Sequence, residues 1–282
     1  VNISVGGNVQ CLVTCGTINV GNTFTQSVSS SKSFGTNVAV GTNWTFNNLT
    51  FDASANSPTI TFNGTGTGQT VVTGDLAFTK TGGTSLVVDD GTNNRIINVD
   101  GSVSLAATTT LLAPPSASFT VGGSWANSGT FTNNSGLVTF NSMATGRTLT
   151  GNMTGTSKFY NLIFNGSGGA WSFGANNAEV GSDLTITNGT VTAPSTTLTL
   201  TGNYLNNGTF THNSGNVLFN ATTTGKTIAG SLTGSNKFYD LSFNGSGGAW
   251  SFGGTSADVA NNFTITNGTV TAPSTTLTLS GS

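Results

Sequence analysis

A 79-residue repeat runs through most of this chain and constrains its fold more than any single motif. KFYNLIFNGSGGAWSFG, beginning at Lys158, returns as KFYDLSFNGSGGAWSFG at Lys237. TNGTVTAPSTTLTL at Thr187 returns at Thr266, and GTFTNNSGLVTFN at Gly129 returns as GTFTHNSGNVLFN at Gly208, each 79 residues on and without a gap. An older copy, VGTNWTFNNLTFDASANSPTITFNG from Val40, resembles the segment that begins at Val121. Such a period marks a chain whose units bury their apolar faces against their neighbours. The units read as an atypical segment 1–35, a degenerate repeat 36–114, repeats 115–193 and 194–272, and the start of a truncated fourth at 273–282, all in one continuous solenoid.

Within a unit the apolar residues alternate: Tyr160, Leu162, Phe164; Trp171, Phe173; Leu184, Ile186; Leu198, Leu200; Val217, Phe219. A period of two is that of a half-buried strand, and no helical period survives eleven residues. The chain is predicted to be all-β, with Thr and aromatic residues in strands and Gly and Asn at the breaks.

Two architectures can host these strands. Asn-Gly pairs at Asn188 and Asn267 are hairpin signals and keep tandem β-sandwich domains as an alternative. A parallel β-solenoid (β-helix) is favoured. Asn-Gly-Thr recurs from Asn188 to Asn207, a 19-residue step close to one coil, and the units join without linkers. Coils of about 20 residues would place about four in each repeat, with equivalent residues stacked as Phe, Val and Leu ladders inside and Asn ladders at corners.

FYNLIFNGSGG, NGTVTAPSTTLTLTGN and GTFTHNSGNVLFN resemble the Asn/Gly/Thr-rich repeats of large microbial cell-surface and adhesin-like β-solenoid proteins, over about residues 36–282. The resemblance implies a secreted, surface-associated structural role and supplies no catalytic residues.

Charge supports that direction. Only 6% of residues are charged and the net charge is −2, so solubility rests on Thr, Ser, Asn and 40 Gly. The seven basic residues are scattered, which gives nucleic acid or an anionic membrane nothing to bind. No segment is apolar enough for a membrane helix, and Val1 does not open a signal peptide, so the chain reads as a mature extracellular or cell-surface product. Asn-x-Ser/Thr sequons mark candidate glycosylation at Asn43, Asn63, Asn133, Asn152, Asn165, Asn188, Asn207, Asn220, Asn244 and Asn267. Cys11 and Cys15, the only cysteines, suit a local disulfide, with free thiols or an intermolecular bridge as the alternatives.

Chemistry-bearing groups are sparse. Asp89-Asp90 in VVDDGTNN reads as an acidic turn ahead of a weak calcium site, and His212 as an exposed corner residue. No paired carboxylates, hydrolase triad or phosphate loop followed by a helix is present. Trp171 and Trp250, with Tyr160 and Tyr239, read as core in preference to a sugar-stacking row. The chain is therefore expected to be non-enzymatic, with no cofactor or metal.

The N-terminal Ile3-Ser4-Val5-Gly6-Gly7-Asn8 lies in nearly the same phase of the repeat as the C-terminal Leu277-Thr278-Leu279-Ser280-Gly281-Ser282. Ile3, Val5, Leu277 and Leu279 are the candidate assembly edges of a head-to-tail homopolymer, an extracellular filament subunit. The alternative is an adhesin stalk or carbohydrate-binding fragment of a larger surface protein, meeting surface glycans or host and neighbour cells.

Overall fold

The computed structural model describes residues 96–116 and 118–281, the backbone of short strands between residues 3 and 89, and the side chains of Leu76 and Ala77. The chain divides into two compact units, Val1–Thr139 and Phe140–Ser282. It is a parallel β-solenoid. Among the described residues, helix is confined to single 3-10 turns at Gly155–Ser157 and Gly234–Asn236.

In the first unit each coil contributes three short strands. Ile97 lies opposite Phe119, Val103 opposite Trp125 and Leu111 opposite Phe131, in parallel register. All six side chains are buried, because alternate residues of each strand point inward. The Trp125 ring meets Phe131 edge-on with centroids 5.0 Å apart, the geometry that aromatic quadrupoles favour.

The second unit keeps the same plan, and its ladders can be followed from coil to coil. Leu162 faces Leu184, Leu184 faces Tyr204, and Tyr204 faces Ile228, in steps of 22, 20 and 24 residues. A second column runs Ala178, Leu198, Val217, Leu241, Phe263. A third runs Arg147, Trp171, Val191, Phe210. The Phe210 N–H donates to Asn236 Oδ1, which carries this column on to the segment bridged with Ala257 and Val259. Parallel strands stacked in this way read as near-continuous apolar ladders along the axis.

The tandem-sandwich alternative is excluded. Asn188-Gly189 and Asn267-Gly268 do not turn hairpins; they lie inside the nine-residue strands Leu184–Thr192 and Phe263–Thr271. Gly189 has φ +88°, so it bends the strand around a corner while the chain continues in the same sense. Opposite it, Asn165 pairs with Asn188 and Ala170 with Thr190, so Gly166-Ser167-Gly168-Gly169 bulges against one glycine. The corner must be glycine because the Trp171 indole sits under it. A Cβ on Gly189 would lie 2.7 Å from that ring, and one on Gly166 would lie 1.8 Å from the Ser142 carbonyl oxygen.

Repeat-equivalent residues do not stack on one another, contrary to expectation. Leu162 belongs to the first column, yet Leu241, 79 residues on, belongs to the second. Trp171 lies in the third column, whereas Trp250 lies opposite Lys226 on the strand that continues the first. Coils of 19 to 24 residues do not divide the repeat into a whole number. Three coils carry Leu162 to Ile228 and a fourth reaches Trp250, so one repeat spans roughly three and two-thirds turns and moves each position one face around.

Local packing survives this rotation. Phe140 stacks on Phe164 at 5.4 Å and 16°, and Phe219 on Phe243 at 5.4 Å and 13°. Each full burial of such a side chain contributes about 1.5–3 kcal/mol. Gly189→Ala should therefore lower stability by roughly 1–3 kcal/mol through overpacking and strain. Gly254→Ala, whose new Cβ would find nothing nearer than 4.0 Å, should leave it unchanged. Urea unfolding of both variants, followed by tryptophan fluorescence, checks the contrast.

Candidate functional site

The polar groups of the second unit are organised as ladders between coils. Asp183 Oδ1 accepts the Asn203 backbone N–H at 2.8 Å and its Nδ2 at 3.0 Å, while the Asp183 N–H donates to Asn161 Oδ1. One repeat later Asp240 stands at the position of Asn161 and Asn262 at that of Asp183, and Asp240 Oδ1 accepts the Asn262 N–H at 2.9 Å. Asp and Asn exchange places while the oxygen keeps its partner. These positions need an acceptor and not a charge, which is a structural role.

The remaining acidic groups are used alike. Glu179 Oε1 accepts from Lys158 Nζ at 2.9 Å and Oε2 from the Gly155 N–H at 3.0 Å, tying down the first 3-10 turn. Asp258 does the same for the second turn, accepting the Gly234 N–H at 3.0 Å. The Lys158–Glu179 ion pair is partly exposed and solvent-screened, so its direct contribution is small. Among the described residues no three His, Cys, Asp or Glu side chains gather as a metal site. Asp89 ends a strand, opposite Thr61 and Leu112, instead of opening a turn; Asp90 lies outside the described residues.

His212 is half-buried rather than exposed, its ring 5.3 Å from that of Tyr239. Its Nδ1 accepts the Ser214 N–H at 2.9 Å. Asn133 Oδ1 does the same for Ser135, also at 2.9 Å, in the preceding repeat. Asn134, Ser135, Asn213 and Ser214 all have positive φ, and the acceptor two residues back pins this left-handed pair. Trp171 and Trp250 are buried in the core; Tyr160 and Tyr239 are half-buried. The Tyr204 hydroxyl is fully enclosed, and burial holds its phenol well above the ordinary range.

Of the sequon asparagines, Asn152, Asn165, Asn188, Asn207, Asn244 and Asn267 are exposed, while Asn133 and Asn220 are half-buried. Asn188 Nδ2 donates to Asn165 Oδ1 at 2.8 Å and Asn267 Nδ2 to Asn244 Oδ1 at 2.6 Å, so each ladder occupies the nitrogen a glycan would need on one of its two members. Asn220 Oδ1 accepts from Thr201 Oγ1. Cys11, Cys15, Asn43, Asn63 and Val5 lie outside the described residues, as does the Ile3 side chain.

The remaining feature is an apolar sheet edge. Ile186 and Leu200 are 0% exposed, yet their repeat equivalents Ile265 and Leu279 are each 48% exposed. In the inner coil, Leu184 and Ile186 are covered by Tyr204 and Asn206, and Leu198 and Leu200 by Val217 and Phe219. The strands Phe263–Thr271 and Leu277–Leu279 have parallel partners on one side only among the described residues. Leu277 is half-buried, so of the two expected C-terminal edge residues Leu279 is the more open. Ile265 was not anticipated. Its signal was the match to Ile186, which becomes informative once the covering strand of each coil is known.

No family model, curated protein or solved structure matches the chain. Among the described residues no helix is long and apolar enough to cross a membrane.

Burial first, and then the Lys237 ammonium, hold the His212 imidazole below its ordinary pKa. A depressed pKa means that the folded state favours neutral histidine, so its contribution is present above about pH 6.5 and lost as pH falls. Acidification from about pH 7.5 to about pH 5 should lower the urea midpoint of the native chain. His212→Asn, the solution used at Asn133, should remove that part of the pH dependence.

Proposed function

We propose that this chain is a structural subunit of an extracellular filament or cell-surface fibre, assembling head to tail through its solenoid ends. The observation that carries the reading is the open edge at Ile265 and Leu279, whose repeat equivalents are fully buried beneath a further coil. Covering a half-exposed Ile or Leu with a matching coil contributes on the order of 1 kcal/mol per side chain. Backbone pairing along two strands adds direction and register. The chemistry of the surface agrees: acidic groups serve as ladder acceptors or tie down turns, and uncharged Asn, Thr and Ser carry the contact with water. Secretion, N-glycosylation at the exposed sequons and a non-enzymatic role belong to the same reading.

The same edge also suits an adhesin stalk in which a further coil of one longer polypeptide covers Ile265 and Leu279. Contact with surface glycans would then fall to another part of that polypeptide.

Negative-stain microscopy and sedimentation of the purified chain test the filament reading. The expected result is end-to-end rods that lengthen with concentration. Ile265→Asp/Leu279→Asp should fold, because neither side chain is enclosed, and should raise the concentration needed for growth by about tenfold or more. Short particles of one length at every concentration would overturn the filament.

A further inference from the structure

The open edge carries information about how a second copy must sit. Natural sheet edges are blunted by Lys, Pro or inward charges. The edge strand Phe-Thr-Ile-Thr-Asn-Gly-Thr-Val-Thr, residues Phe263–Thr271, has none of these. Nor does the segment Val1–Gly7, which contains the strand Ile3–Ser4. Ile3–Ser4 pairs in parallel with Phe24–Thr25, and among the described residues on that side alone. Each of these two strands thus offers a row of backbone donors and acceptors to a parallel neighbour.

Winding order selects the landing site. Successive strands visit the face of Phe263–Ile265 first, then that of Thr269–Thr271, then that of Leu277–Leu279. One repeat earlier, the strand that opens the next coil, Tyr204–Asn206, covers Leu184–Ile186, the equivalent of Phe263–Ile265. A docking coil that begins on this first face can cover all three in sequence; one that begins on the third leaves Ile265 open. Inward alternation then sets the register. Ile3 lies in a ladder with Phe24, Trp44, Thr70, Ile97 and Phe119, of which Ile97 and Phe119 are buried, so its register position is an inward one. The inward position on the edge is Phe263, which tilts against Phe243 at 5.8 Å.

Resting on the filament reading, we propose that the strand Ile3–Ser4 of a second copy adds in parallel to Phe263–Ile265, with Ile3 opposite Phe263 and Ser4 opposite Thr264. Repeat phase alone equates Ile3-Ser4 with Leu277-Thr278. The junction therefore continues the coil while breaking the phase of the repeat, and each subunit is set one face around from where uninterrupted repetition would place it.

Disulfide trapping tests the register. In a Cys11→Ser/Cys15→Ser background, Ser4→Cys with Thr264→Cys places thiols on directly opposed residues of adjacent strands, within the roughly 4.4–6.8 Å Cα separation that a disulfide accepts. Oxidised samples should give a ladder of covalent multimers, at least about fivefold more abundant than from Ser4→Cys with Thr278→Cys. Hydrogen exchange on the unsubstituted chain gives a second measurement, with the Phe263–Ile265 amides slowed on polymerisation. Rods that form while the Thr278 pair cross-links better, or while Phe263–Ile265 exchange is unchanged, would overturn this register and leave the filament standing. Absence of rods from the unsubstituted chain would overturn both.

Discussion

Everything in this protein depends on a coil being covered by the next coil. A parallel strand satisfies only half of its backbone groups within any one pair, and an inward Leu or Phe in a coil of 19 to 24 residues finds too few partners inside its own turn. Stacking satisfies both needs at once. The Phe219–Phe243 contact and the Leu241–Phe263 register are two expressions of one event, the arrival of a further turn in parallel alignment. The same dependence explains why so few charges are required. Ladders such as Asn161–Asp183–Asn203 satisfy polar groups between coils, where an ion pair would add little and long charged side chains would lose rotamer freedom.

Much of the architecture was legible in the residues. Alternation in Leu184-Thr185-Ile186 and Leu198-Thr199-Leu200 marked strands that are buried on that alternation. The 19-residue step from Asn188 to Asn207 is a true coil length, since Thr190 lies opposite Thr209. Asn ladders at the corners are present at Asn165–Asn188 and Asn244–Asn267. The relation between repeat and turn was not legible, because coil length varies with each corner. Gly166–Gly169 opposes a single glycine, and no periodicity in the sequence announces such a bulge. Asn-Gly illustrates the same limit. Positive φ at Gly189 was readable, but whether it reverses the chain or turns a corner depends on Trp171 beneath it.

The candidate site was partly legible for a related reason. Leu279 could be named from its place in the last strand, while Ile265 looks like any other inward residue until its covering strand is identified as Tyr204–Asn206. His212 was readable as a corner residue, but not as a side-chain acceptor that replaces Asn133 in pinning a left-handed turn.

The one-face advance of each repeat bears on how such a chain meets its surroundings. Were equivalent residues to fall on a single column, every copy of the His212–Tyr239 corner or of the Asn ladder would point the same way, and the solenoid would have a front and a back. With a third of a turn added per repeat, three consecutive units would carry the same feature to three compass bearings before it returned to the first. Lengthening by whole repeats would then give an element without a preferred side, gripped or decorated equally from any direction.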